Sequence, residues 1–147
     1  MRYFRQNGEL IMTKQLWINL PVKNLNKSKE FFVEIGFALN PHYDREEAVS
    51  LLIGDKDIVV MLFPEETFNN FTGSKITDTT LSNEVLLSFD AESKEEVDEL
   101  AKKVVEAGGT LYGEPGGDDW MYGCGFQDLD GHRWNVLYMD MSNMTER

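Results

Sequence analysis

The order strand–helix–strand–strand–strand occurs twice along this chain, and that repeat limits the possible fold more than any other feature. In the first copy Lys14–Val22 alternates: Leu16, Ile18, Leu20 and Val22 share one face, and Trp17, Asn19 and Pro21 the other. Pro21 cannot donate to a ladder, which places this strand at an edge. Asn24 suits an N-cap. Leu25, Ser28, Phe31, Phe32 and Ile35 recur at helical spacing before Gly36, which takes the C′ role. Phe37–Tyr43, Glu47–Ile53 and Asp57–Phe63 read as three strands, the last two linked by Gly54-Asp55-Lys56.

In the second copy Asn83–Asp90 reads as a strand. Ser93 with Glu96 forms a capping box, and Val97, Leu100, Ala101, Val104 and Val105 make the buried stripe of a helix stopped by Gly108-Gly109. Thr110–Gly113, then a loop at Gly116-Gly117-Asp118-Asp119, then Trp120–Gln127 and His132–Met139 complete the set. One βαβββ unit buries a single face of its sheet, so a tandem pair must pack or pair to enclose a core. The fold class expected is therefore α+β: two tandem βαβββ modules forming cupped, mixed β-sheets.

The 147 residues suffice for one domain with a core. Residues 14–141 are read as that domain, with half one at 14–63, a connection at 64–82 and half two at 83–139. Residues 142–147 form a tail. Residues 1–13 are read as an extension, disordered or preceding a translation start at Met12, because the Gly8-Glu9 codons must read GGN-GAR and could form a purine-rich ribosome-binding sequence. The connection holds polar and turn residues with Phe68, Phe71, Ile76 and Leu81 among them; a linker and a lid over a pocket both fit it. No run of about 18 apolar residues exists, and no signal-peptide apolar region follows the N-terminal basic residues. A cytoplasmic location is expected. A net charge of −12 argues against nucleic acid and anionic membranes as partners. The lone Cys124, between Gly123 and Gly125, excludes an intramolecular disulfide and reads as a small buried thiol.

In the last hairpin, Asp128-Leu129-Asp130-Gly131 is turn chemistry. Beyond it Arg133, Asn135, Leu137 and Met139 share one face, and Trp134, Val136 and Tyr138 the other. Alternation collects a pocket lining: Trp17 and Asn19; Val59, Met61 and Phe63; Glu84, Leu86 and Ser88; Asn135, Leu137 and Met139, with Arg133 near the turn. Apolar and aromatic walls with a few polar anchors are the usual make-up of a small-ligand site. A planar or cationic ligand could stack on Trp17, with Glu84 balancing its charge. Trp17 and Met61 filling the space as core is the competing reading. Asn19, Glu84 and Asn135 weigh against it, since each would cost about 1–3 kcal/mol if buried without partners. His42 and His132 are expected at the surface.

Several short motifs occur in order: Asn19-Leu20-Pro21-Val22-Lys23-Asn24-Leu25 with Ser28 and Phe31-Phe32, then Gly36-Phe37, Ala107-Gly108-Gly109, and Asp128-Leu129-Asp130-Gly131-His132. With the duplication, the chain over Lys14–Met139 resembles the vicinal oxygen chelate superfamily of glyoxalases, bleomycin-resistance proteins and extradiol dioxygenases. The Leu-Pro-Val and Trp-Asn-Val segments are similar to its bacterial lactoylglutathione-lyase-related branch. The resemblance implies two cupped four-stranded sheets, a pocket in each cup and a homodimer. In the enzymes it implies a divalent metal held by His, Glu or Gln from the first and last strand of each half. Those positions fall on Trp17, Met61, Glu84 (Leu86 if the register slips by two) and Asn135. Glu84 alone is a competent donor among them, so no metal or other cofactor is expected. The leading expectation is a small-molecule-binding protein, of a resistance or sequestration kind, that works without metal as a homodimer. Two alternatives stand beside it. One is a lactoylglutathione-lyase-like or other lyase or isomerase using Glu84 as base with a recruited divalent metal. The other is a dimeric interaction module with a filled cup.

Overall fold

The computed structural model describes residues 4–10, 13, 15–43, 45–55 and 58–143. Met12, Lys14, Lys56, Asp57 and residues 144–147 of the tail, all named above, lie outside the described residues. Half one runs β1 (Trp17–Val22), α1 (Leu25–Glu34), β2 (Ala38–Leu39), β3 (Val49–Ile53) and β4 (Ile58–Pro64). A helix, α2 (Glu65–Thr72), follows. Half two runs β5 (Leu86–Asp90), α3 (Lys94–Glu106), β6 (Thr110–Gly117), β7 (Met121–Gln127) and β8 (Arg133–Met139). Each half makes one four-stranded sheet, in the orders β1-β4-β3-β2 and β5-β8-β7-β6. The β1–β4 and β5–β8 pairs are parallel and the rest antiparallel, so both sheets are mixed, as the repeat requires.

Several boundaries differ from the sequence expectation, each for a local reason. The strand expected over Phe37–Tyr43 shrinks to β2, because Asn40 turns the chain: its Oδ1 accepts from His42 N at 3.0 Å and its carbonyl from Tyr43 N at 3.2 Å. The strand expected from Asn83 starts only at Leu86. Its partner β8 begins only at Arg133, opposite Leu86, and before β5 Asp78 turns the chain over residues 78–82, accepting from Thr80 N and Thr80 Oγ1 at 3.0 and 2.6 Å. β6 runs on through Pro115 to Gly117, where a loop was expected from Gly116; it lies at a sheet edge, where proline is tolerated, and its register shifts twice. The connection 64–82 is partly helical, since α2 occupies its first half.

Both helix starts form as read. Asn24 Oδ1 accepts from Lys27 N at 3.0 Å and Ser93 Oγ from Glu96 N at 3.1 Å. The reciprocal arm of the second cap differs from a standard box: Glu96 Oε2 accepts from Glu92 N at 2.7 Å, one residue earlier than Ser93. Gly36, at φ 109°, ends α1 in a conformation that side chains rarely take.

The two halves share one core. Val22, Phe31, Phe32, Leu51, Val60 and Leu62 from half one meet Val104, Phe126 and Trp134 from half two, each almost fully buried. Trp134 lies parallel to Phe126 and tilted against Phe32 and Phe37, with centroids 5.6–6.2 Å apart. Each sheet therefore turns one face to this core and leaves its other face open.

The turn between β7 and β8 fastens the halves together. Asp128 is buried; its Oδ1 accepts from Asp130 N and His132 N at 3.0 Å, and its Oδ2 from Trp134 Nε1 at 3.1 Å. Asp130 reaches the other half, accepting from Lys23 N at 2.8 Å and from Ser28 Oγ at 3.2 Å. His132, expected at the surface, is half-buried instead, with Nε2 2.7 Å from the Pro21 carbonyl oxygen. Burial pushes the Asp128 carboxyl up from its ordinary value, while the neighbouring His132 and the Trp134 indole pull it back.

Candidate functional site

The expected site residues stand on the open faces, away from the shared core. In half one, parallel pairing sets Trp17 beside Val59, Asn19 beside Met61 and Pro21 beside Phe63. Trp17 is 56 % exposed, whereas Val60 and Leu62 on the opposite face of β4 are buried. The ring of Phe71 on α2 meets Phe63 edge-on at 5.1 Å, so α2 covers one end of this face.

In half two, Leu86 pairs with Arg133 and Ser88 with Asn135. Across β8, Gly125 pairs with Asn135 and Gly123 with Leu137. These two glycines make the site. A Cβ on Gly125 would lie 2.4 Å from the Tyr112 ring, and one on Gly123 would lie 2.7 Å from the Leu137 side chain. Tyr112, from β6, therefore lies flat across the β7 backbone and reaches β8. Its hydroxyl stands 2.6 Å from Asn135 Oδ1 and 3.1 Å from the Trp134 carbonyl oxygen. Arg133 stacks its guanidinium on the same ring, 4.5 Å from the centroid. Partial burial raises the Tyr112 hydroxyl above its ordinary value and Arg133 opposes the shift, so the phenol stays a neutral donor.

Glu84, Leu86 and Arg133 come together with Tyr112 around a cavity of about 400 Å3, closed on one side by residues 79–85. That strap is held by Thr79, whose Oγ1 donates to the Asp130 carbonyl at 2.5 Å. Glu84 stands outside β5, exposed on this strap. Trp17 pairs two residues before Asn19, the partner of Met61, and Leu86 pairs two residues before Ser88, the partner of Asn135. The counterpart of Trp17 is therefore Leu86, the slipped register, and not Glu84. Trp17, Asn19, Met61 and Phe63 lie on a different sheet from Arg133, Asn135 and Leu137. Neither of two further hollows brings these groups together. One, of about 530 Å3, opens between α1 and the β2–β3 connection beside Lys29, Tyr43 and Arg45. The other, of about 470 Å3, lies between the halves beside Phe37 and Phe89.

Tyr112 is the residue that sequence reasoning missed. The signal was the Gly123-Cys124-Gly125 alternation, two vacancies on one strand face, which asks what side chain crosses there. Cys124 between them faces the core, and burial pushes its thiol up to about 11.

A doubled βαβββ chain with a common core and two open, partly aromatic sheet faces is the architecture of one broad class of small-molecule binders and enzymes. The profile of the Glyoxalase/Bleomycin resistance protein/Dioxygenase superfamily matches residues 14–136, and the chain belongs to that superfamily. A hypothetical protein from S. aureus is similar at 37% identity and TM-score 0.76, over 86% of this chain and 94% of that one. A glyoxalase-related enzyme from Fulvimarina pelagi shares the fold at 21% identity and TM-score 0.73, over 87% and 88% of the two chains. A glyoxalase/bleomycin resistance protein/dioxygenase family enzyme from Burkholderia phytofirmans does so at 18% and 0.70, over 84% and 97%. No curated protein matches the chain.

Proposed function

We propose that this protein binds a small molecule on the open faces of its sheets, without a catalytic metal, and that it sequesters that molecule rather than turning it over. The observation that carries the reading is Trp17: a large apolar side chain more than half exposed, on the strand that carries Asn19 and pairs with that of Met61, on a face that α2 covers only at the Phe63 end. A planar or cationic ligand fits an exposed indole face.

The donor chemistry disfavours the metal of the superfamily's enzymes. In the register given by strand pairing its ligand positions hold Trp17, Met61, Leu86 and Asn135. None is a carboxylate or imidazole, and the Asn135 carbonyl oxygen already accepts from Tyr112. Among the described residues no three His, Cys, Asp or Glu side chains are grouped so as to hold a metal ion. Glu84 as a general base lacks support, since it sits exposed on the strap outside β5.

The homodimer belongs to the same reading. The two open faces lie on separate sheets, and a second copy could bring the open face of one half against that of the other. Titration of intrinsic fluorescence with planar aromatic and cationic compounds tests the binding claim. A saturable response lost in Trp17→Phe supports it, and no response across the series overturns it. Elemental analysis tests the metal claim: zinc, nickel, manganese or iron near one per chain would overturn it.

A further inference from the structure

We propose that the cavity between the 79–85 strap and the Tyr112–Arg133 stack is a carboxylate site, in which Arg133 takes the single carboxylate of a small monoanionic ligand. The inference rests on the small-molecule-binding function proposed above but goes beyond its Trp17 face, since Arg133 stands on the other sheet. The site is built from backbone upward: Gly125 leaves space, Tyr112 fills that space with a flat ring, and the ring carries Arg133 at 4.5 Å. Among the described residues Arg133 forms no ion pair, in a chain with 26 acidic residues. A guanidinium held on an aromatic plane keeps its N–H edge free, and that edge matches a carboxylate with two parallel hydrogen bonds.

Asn135 stands behind Tyr112, outside the cavity's lining, and fixes the tyrosine from there. Its Oδ1 accepts from the Tyr112 hydroxyl at 2.6 Å, which holds the ring under Arg133. Tyr112 thus positions Arg133 without needing to touch the ligand. The cavity of about 400 Å3 suits a small molecule, and Leu86 and Val85 give its body an apolar wall. Glu84 lines the same cavity. Its negative charge opposes a second anionic group on the ligand and selects monocarboxylates over dicarboxylates.

Ligand-observed NMR on the full chain tests this with matched pairs: benzoate and benzamide, phenylacetate and phenylacetamide, butyrate and butyramide, with terephthalate as the dianion. At least one carboxylate should bind about tenfold more tightly than its amide. Arg133→Gln should erase that preference, and Arg133→Lys should retain part of it, since charge persists without the planar fork. Glu84→Gln should admit terephthalate. An unchanged unfolding midpoint shows that each variant is folded. Amides binding as well as acids, or a preference that survives Arg133→Gln, overturns the carboxylate site while leaving the binding function standing. No binding of any acid overturns the site as well. If planar and cationic compounds also leave the Trp17 fluorescence unmoved, the binding function falls with it.

Discussion

Three tryptophans show how residue-level burial separates scaffold from surface. Trp134 is 2 % exposed and gives its indole N–H to Asp128. Trp134→Ala should cost about 3–5 kcal/mol, since it empties the shared core and strips a buried carboxylate of a donor. Trp17, 56 % exposed, should cost about 1 kcal/mol or less when cut to alanine, while ligand affinity falls. Urea midpoints for the two variants check the contrast, and a loss at Trp17 as large as at Trp134 would make it core. Trp120, half-buried just before β7, supplies background fluorescence in either case. Cys124 carries a pH prediction. Its thiol moves from an ordinary 9.0 to about 11 because burial opposes the thiolate. Between those values the folded chain keeps a proton that the unfolded chain has released, so stability falls as pH rises through that window. At pH 7 both states are protonated and the effect is absent. Unfolding midpoints measured from pH 8 to 11 should show this decline in the wild type and a shallower one in Cys124→Ala.

At the scale of the element, the helices were legible because their signals are local. Asn24 and Ser93 cap the helices that begin after them, and Gly36 ends the first. Ser93→Ala should destabilise the chain by about 1 kcal/mol by freeing the Glu96 N–H, measurable as a lowered urea midpoint at unchanged slope. The strand faces were legible as well, because alternation sorted Trp134 and Val136 from Arg133 and Asn135. What failed were the strand ends. Asn40 turns the backbone with its own side chain, and β5 starts only where β8 begins to pair with it, neither of which periodicity registers. Helix α2 was missed because it is only eight residues long, and Phe68 and Phe71 alone mark its apolar side, too few to establish a period. The site was half legible. Arg133 and Asn135 follow from alternation, but Tyr112 reaches them across a strand, through a space left by Gly125 that only the three-dimensional register reveals.

At the scale of the whole molecule, each sheet has two edge strands, β1 and β2 in one and β5 and β6 in the other. Natural sheets usually blunt such edges with charge or cover them. Here Leu16 and Trp17 are 75 % and 56 % exposed at the start of β1, and Val85 and Leu86 are 56 % and 53 % exposed at the start of β5. Apolar side chains at two open edges favour a partner, and a second copy of this chain supplies matching ones. The charge of −12 on each copy opposes that association over distances comparable to the Debye length. Apolar contact and charge repulsion together give a defined salt response: the dimer should tighten as ionic strength rises, the reverse of an interface held by ion pairs. Sedimentation at micromolar concentration should give twice the 16.9 kDa chain mass, with the dissociation constant falling between low and physiological salt. Leu16→Glu combined with Val85→Glu should shift the protein to monomer and weaken any ligand response that needs both open faces. A wild-type chain that sediments at 16.9 kDa across this range would overturn the dimer.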